Sequence, residues 1–141
     1  MVKKTDIELS FVFPTFDEDQ NIFNRIQEIN ALQILLNKTV EVVISDDTPN
    51  NELLEKRISK LGNKNLKINY ISRHKKNLKK GLAASILDGI TSSSGNFICV
   101  ADVDGQHNIF DAFFLYKKAK ENSLIAIGSR FKRGGGMGSA S

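Results

Sequence analysis

The chain has 141 residues, enough for one domain of the usual ~100–150 residues and too few for two. With 40% hydrophobic and 26% charged residues and only two prolines, it is not a disordered, collagenous or disulfide-scaffold composition. Lys and Arg number 20 against 16 Asp and Glu, and the net +4, with a pI near 9.2, suits a phosphate-bearing partner or an anionic membrane surface.

In chain order, Ile7 to Phe13 is an apolar run of β-formers stopped by Pro14, the pattern of a buried strand feeding a turn. Asp17, Glu18 and Asp19 form an acidic helix entrance that complements the helix dipole. Behind them Ile22, Phe23, Ile26, Ile29, Leu32, Leu35 and Leu36 recur at three- and four-residue spacing, which predicts one inward helical face. Val40 to Ile44 is a second strand, ending in the polar turn Ser45-Asp46-Asp47-Thr48-Pro49, which can cap a helix from Asn51 to Leu61 closed by Gly62-Asn63. Leu66 to Ile71 is a third strand. The basic residues Arg73, His74, Lys75, Lys76, Lys79 and Lys80 follow it, and a helix is expected from about Lys79. Leu82, Ile86, Leu87 and Ile90 form its apolar face, Ala83 and Ala84 allow close packing, and Ser92-Ser93-Ser94-Gly95 ends it. Phe97 to Ala101 is a fourth strand running into Asp102-Val103-Asp104. Ile109 to Glu121 is a helix with Phe110, Phe113 and Phe114 inward, Leu124 to Ile127 a fifth strand, and Ser129-Arg130-Phe131-Lys132-Arg133 leads into Gly134-Gly135-Gly136.

This alternation predicts an α/β chain with a mainly parallel, doubly wound sheet covered on both faces by helices. Ligands of such sheets bind beyond the carboxyl ends of the strands. Four polar segments therefore converge: Pro14 to Glu18, Ser45 to Pro49, Asp102 to His107, and Ser129 to Arg133. Asp102 and Asp104, one residue apart at a strand end, can aim two carboxylates at one hard cation, with Gln106 and His107 close enough to add a ligand. That set suits Mg²⁺ or Mn²⁺ completed by water and a substrate phosphate; the other reading is a turn at Asp104-Gly105 with Asp102 capping the next helix. Arg130, Lys132 and Arg133 place positive charge on the same rim, where a guanidinium can fork onto phosphate oxygens; the other reading is a solvated basic loop.

Several classes fall away. No G-x-G-x-x-G and no G-K-[ST] follows a strand, so nicotinamide and P-loop chemistry are excluded. The basic stretch from Arg73 to Lys80 lacks interleaved aromatics, which argues against a nucleic-acid partner and for a solvated face. His74 and His107 have no triad pattern, and Cys99, the single cysteine, reads as a buried thiol that rules out an internal disulfide. The start lacks an apolar signal core, and no run approaches the ~18 apolar residues of a membrane span. The expectation is a soluble chain in a reducing, cytoplasmic setting.

Taken in order, Phe13-Pro14-Thr15-Phe16-Asp17-Glu18, Ser45-Asp46-Asp47-Thr48-Pro49, the segment Gly81 to Gly89, Asp102-Val103-Asp104-Gly105-Gln106-His107 and Gly128-Ser129-Arg130-Phe131 resemble the family 2 glycosyltransferases. The likeness is to the branch typified by dolichyl-phosphate mannose synthase and the bacterial polyprenyl-phosphate glycosyltransferases. It implies a GT-A fold that binds a nucleoside diphosphate sugar, with Pro14, Thr15, Phe16 and Glu18 near the base and ribose and Asp46 reading the base. It further implies Mg²⁺ or Mn²⁺ held by Asp102, Asp104 and Gln106, and Arg130 meeting the donor diphosphate, so that Asp104 and Arg130 carry catalysis. The implied reaction moves a hexose from a donor of the GDP-mannose or UDP-glucose type to a polyprenyl or dolichyl phosphate with inversion. Such an acceptor is already anionic and needs no strong general base.

Two departures stand out: Asp17 where the family usually has Asn, and Ser45-Asp46 where it has a pair of acids. The family's catalytic domain continues beyond the glycine run. The expectation is a donor-binding domain over residues 1–133 without the acceptor half, then a flexible Gly/Ser-rich tail over residues 134–141. The alternatives are a non-catalytic or partner-dependent nucleotide-sugar-binding fragment and a family 2 transferase with a different acceptor. The implied setting is the cytoplasmic face of a membrane, in cell envelope glycan biosynthesis, with a partner subunit as a further option.

Overall fold

Alternate residues of the first strand are large and apolar, and that alternation decides what each side of the sheet must cover. In a computed structural model, which describes residues 5–104 and 109–122, β1 (Ile7–Thr15) is followed by α1 (Asp19–Leu36), β2 (Thr39–Asp46) and α2 (Glu52–Ser59). Then come β3 (Leu66–Ser72), α3 (Leu82–Ser92), β4 (Phe97–Val100) and α4 (Ile109–Asn122). The strands form one parallel sheet in the order β3-β2-β1-β4. This is the expected α/β architecture; the expected fifth strand at Leu124 to Ile127 lies outside the described residues.

Leu9, Phe11 and Phe13 of β1, with Val40, Val42 and Ile44 of β2, face one side and are covered by Ile22, Ile26 and Ile29 of α1, Leu54 and Ile58 of α2 and Tyr116 of α4. Val12, Val43, Ile71 and Val100 face the other side and pack on Ile86 and Ile90 of α3. Within the larger layer the Phe11 and Phe13 rings lie nearly parallel, with centroids 6.3 Å apart.

The inward faces are narrower than the spacing predicted. Leu35, Leu87 and Phe114 are exposed, because at ~100° per residue each falls on the far side of its helix from the buried stripe. Leu82 is on the inward side of α3 but overhangs the strand ends, and the side chain of Phe110 lies outside the described residues. The close contact of α3 is made by Ser85 and Gly89, one turn apart and both buried, rather than by Ala83 and Ala84. Ser45 Oγ donates to the Ser85 carbonyl at 2.7 Å and Ser85 Oγ donates to the Ser45 carbonyl at 3.0 Å. A Cβ on Gly89 would lie 2.4 Å from Val12 Cγ1.

Two boundaries differ from expectation for physical reasons. Pro14 does not stop β1, which pairs on through Pro14↔Ser45 and Thr15↔Asp46. The side of β1 that Pro14 shares with Val12 faces β4, whose pairing ends at Val12↔Val100, so the missing N–H is not needed there. α3 starts at Leu82 rather than near Lys79, because Gly81 takes φ +120°, a conformation suited to glycine.

At the opposite end of the sheet, buried Glu41 accepts from Ser10 Oγ at 2.6 Å and from Ser94 N at 2.8 Å, while Gly95 N donates to Ser10 Oγ at 2.8 Å. α4 is tied to β1 by Tyr116 OH donating to Glu8 Oε2 at 2.6 Å and by Lys120 Nζ at 3.0 Å. Burial disfavours the Glu8 carboxylate, but the bonds from Tyr116 and Lys120 outweigh it and hold its pKa below the usual value.

Gly95→Ala is expected to lower stability by ~1–3 kcal/mol through overpacking, since its Cβ would meet Ser10 N at 2.6 Å; urea unfolding checks this as a lower midpoint at unchanged slope. Tyr116→Phe should cost about 1 kcal/mol at pH 7. Because the Glu8 pKa is depressed on folding, that contribution is present above the ordinary value of 4.5 and fades as pH falls through the lower folded value. Melts of both proteins from pH 7 to pH 3 should therefore converge.

Candidate functional site

A parallel sheet presents all its carboxyl ends on one rim, and a cleft of about 630 Å³ opens there. Three of the four converging segments meet in it: Pro14, Thr15, Phe16 and Glu18 at the end of β1, Asp47 and Pro49 after β2, and Asp102, Val103 and Asp104 after β4. The fourth, Ser129 to Arg133 with Arg130, lies outside the described residues, as do Gln106 and His107. A further wall comes from the loop after β3, with Arg73, His74, Asn77, Leu78, Lys80 and Gly81, and from Leu82 and Ser85 at the start of α3. The sequence presents this stretch as a solvated face, but the parallel direction of β3 puts its following loop on the same rim.

Asp46 is fully buried and stands behind the cleft wall, where Asp47 is the acid from the β2 turn. Its Oδ1 accepts from Thr15 Oγ1 at 2.8 Å and from Thr48 Oγ1 and N at 2.7 and 3.3 Å. Its Oδ2 accepts from Asn51 Nδ2 at 2.9 Å and from the Tyr70 hydroxyl. A buried carboxylate needs such donors to offset its lost hydration. Burial, then the bond to Asp46, push the Tyr70 phenol well above its usual range, so it stays a protonated donor. Thr48 Oγ1 also accepts from Asp17 N at 2.6 Å. Asp17 has φ 54°, a left-handed conformation that Asp tolerates much as Asn does, so the departure at this position leaves the turn intact.

Arg73 corrects the expectation of a solvated basic run. Its side chain is fully buried, with Nη1 donating to Asp47 Oδ1, Nε to Asp88 Oδ2 at 3.0 Å and Nη2 to the Lys79 carbonyl. The planar fork of a guanidinium reaches three acceptors on three segments at once, and the backbone adds Arg73 N to the Asp46 carbonyl at 2.8 Å. The residues from His74 to Ala83 that follow are exposed.

The opposite wall is acidic. Burial raises the Glu18 pKa, and the negative charges of Asp104 and Asp102 raise it further. Among the described residues no group of three or more His, Cys, Asp or Glu side chains is placed to hold a metal ion by itself. Asp102 and Asp104 both line the open cleft, and two carboxylates are fewer than the roughly six oxygen ligands that a hard cation takes. Among the described residues, too, no helix is long and apolar enough to cross a membrane.

Residues 10–140 match the family described as Glycosyl transferase family 2, and the chain belongs to that family. It is similar to the dolichol-phosphate mannosyltransferase of Pyrococcus furiosus, 35% identical over 132 residues that make up 92% of this chain and 35% of that protein. The chain thus spans about a third of the length of this curated relative. Its four parallel strands with flanking helices agree with a GT-A type fold.

Arg73→Ala is expected to cost ~3 kcal/mol, because it strands two carboxylates in a partly desolvated setting. Arg73→Lys should recover only part of that loss, since an ammonium lacks the rigid fork; urea unfolding of the two variants checks the order.

Proposed function

We propose that this chain binds a nucleoside diphosphate sugar across the rim of the sheet, as the donor-binding part of a transferase that moves a hexose to a polyprenyl phosphate. The observation that carries the reading is the meeting of Pro14, Thr15, Phe16 and Glu18 with Asp102 and Asp104 in one cleft. The likeness to a Pyrococcus furiosus dolichol-phosphate mannosyltransferase supports a lipid phosphate acceptor and a mannose-bearing donor.

In this reading the base and ribose lie against Pro14, Thr15 and Phe16. Asp46 sets the shape of the base end from behind the wall, through Thr15, Thr48 and Tyr70, and Asp47, fixed by Arg73, presents the carboxylate edge. Asp102 and Asp104, with Gln106, would hold Mg²⁺ or Mn²⁺ at the donor diphosphate. Burial raises the Glu18 pKa and the negative charges of Asp104 and Asp102 add to it; a divalent cation would offset the second contribution. A bound cation supplies Lewis-acid neutralisation of the leaving diphosphate. Arg130 is assigned to the same diphosphate as a charge clamp. The lipid phosphate attacks the anomeric carbon as an anion already formed, from the face opposite the leaving group, which inverts the configuration.

Donor binding and transfer are separable parts of this proposal and are tested separately. Calorimetric titration with GDP-mannose and with UDP-glucose, each with Mn²⁺ and then with chelator, is expected to show metal-dependent binding of one donor. Asp104→Asn should weaken that binding roughly tenfold or more, a loss of at least ~1.4 kcal/mol, while leaving the melting curve in place. Equal affinity with and without metal would remove the Asp102 and Asp104 assignment. Transfer is read with a polyprenyl phosphate and the donor that binds.

A further inference from the structure

β3 lies at one edge of the sheet, and among the described residues no strand pairs with its outer side. Successive residues of a strand turn their backbone N–H and C=O groups to opposite sides. Val40 N donates to the Asn65 carbonyl at 2.9 Å and Arg73 N donates to the Asp46 carbonyl at 2.8 Å, so the odd-numbered residues of β3 address β2 and the even-numbered ones address the outside. Two of these outward residues are already engaged. Leu66 exchanges hydrogen bonds with Asn63, and the Ser72 carbonyl accepts from Lys76 N at 3.2 Å. That leaves Ile68 and Tyr70, each with an outward N–H and C=O, in a window closed by Leu66 on one side of Asn69 and by Ser72 at the same distance on the other.

A window symmetric about one residue is complementary to itself. In antiparallel pairing around a two-fold axis at Asn69, Ile68 faces the second copy's Tyr70 and Tyr70 faces its Ile68, so every free group of the window finds a partner. Isoleucine opposite tyrosine is a favourable cross-strand pair, and both side chains lie half-buried on the α2 side of the sheet. Lys67 is the only charged residue of β3 and falls opposite Ile71. Along the strands the two copies of Lys67 are about 13 Å apart, beyond the ~8 Å screening length, so no like charges meet. Apart from that lysine the edge has none of the usual guards against pairing: it carries no proline, and its register with β2 runs unbroken from Val40↔Leu66 to Asp46↔Ser72.

We infer that β3 is a dimerisation edge, at which two copies of this chain join antiparallel through Ile68 and Tyr70 with Asn69 at the two-fold axis, making one continuous sheet. A contact of this kind closes on itself and stops at two copies. Because the strands of the two copies run in opposite directions, their clefts open at opposite ends of the joined sheet and neither is covered. The contact uses no residue that lines the cleft, so it stands or falls independently of donor binding.

Analytical ultracentrifugation of the full chain over a wide range of concentrations is expected to show a monomer–dimer equilibrium. Ile68→Pro removes an outward N–H and leaves the pairing with β2 in place, since proline is tolerated on an edge strand where its nitrogen faces away from the ladder. By symmetry it deletes half of the hydrogen bonds between the copies, one for each Ile68 N. It should therefore raise the dimer Kd by about thirtyfold, each bond contributing about fivefold. The register is read with cysteines, the native Cys99 being buried. Residues opposed in a non-hydrogen-bonded antiparallel pair have Cα atoms about 4.5 Å apart, within disulfide reach. Asn69→Cys should thus form an intermolecular disulfide under mild oxidation, seen as a dimer on a non-reducing gel. Lys67→Cys is at a more exposed position but about 13 Å from its copy, and it should stay a monomer on that gel. The two cysteine variants decide the question even where Ile68→Pro does not fold. A monomer at every concentration, an unchanged Kd in folded Ile68→Pro, or cross-linking of Lys67→Cys as readily as Asn69→Cys would each overturn the proposal.

Discussion

A buried carboxylate must be surrounded by donors, and the surroundings of Asp46 organise this molecule. Its acceptors draw Thr15 from the end of β1, Thr48 from the β2 turn, Asn51 from the start of α2 and Tyr70 from β3. Three stretches of the chain, at Thr15, at Thr48 to Asn51 and at Tyr70, are thereby fixed relative to one another at one end of the sheet. Each of these bonds is modest in net terms, and each offsets part of the hydration that the buried carboxylate gives up. The rim therefore gains rigidity where a ligand needs a preformed wall, and the Pro14 to Glu18 turn inherits its position through Thr48 and Asp17.

Charge is divided around the cleft in a way that follows from the same logic. Arg73 is compensated inside the protein by Asp47 and Asp88, so its positive charge is spent on structure. Glu18 is raised in pKa by burial first and then by the negative charges of Asp104 and Asp102, so this side of the cleft is the acidic one. Of the lysines after Arg73, Lys75, Lys76 and Lys79 are exposed away from both groups, while Lys80 lines the cleft.

Much of this was legible in the sequence, for reasons that particular residues make clear. Leu9, Phe11 and Phe13 alternate, and Ile22, Ile26 and Ile29 follow helical spacing, so the strands, the helices and the convergence of their polar ends could be read directly. Leu35, Leu87 and Phe114 were assigned inward because hydrophobicity alone does not distinguish a side chain at the edge of a stripe from one beyond it. Arg73 was missed because a buried arginine and a solvated one look identical in a basic run. Its burial depends on Asp47 and Asp88 arriving from other elements, which is a tertiary fact. The close contact at Gly89 was hidden likewise, since its cause is Val12 on a distant strand.

Cys99 sits near the middle of β4, 1% exposed and paired in register with Phe11. As the single thiol in the chain, it is a built-in chemical reporter for one seam of the sheet. A thiol reagent reaches it only when β4 parts from β1 or the α4 layer lifts away, so its modification rate follows the opening of that seam rather than motion in the loops around the cleft. The opening of that seam can thus be timed without adding a probe to the protein.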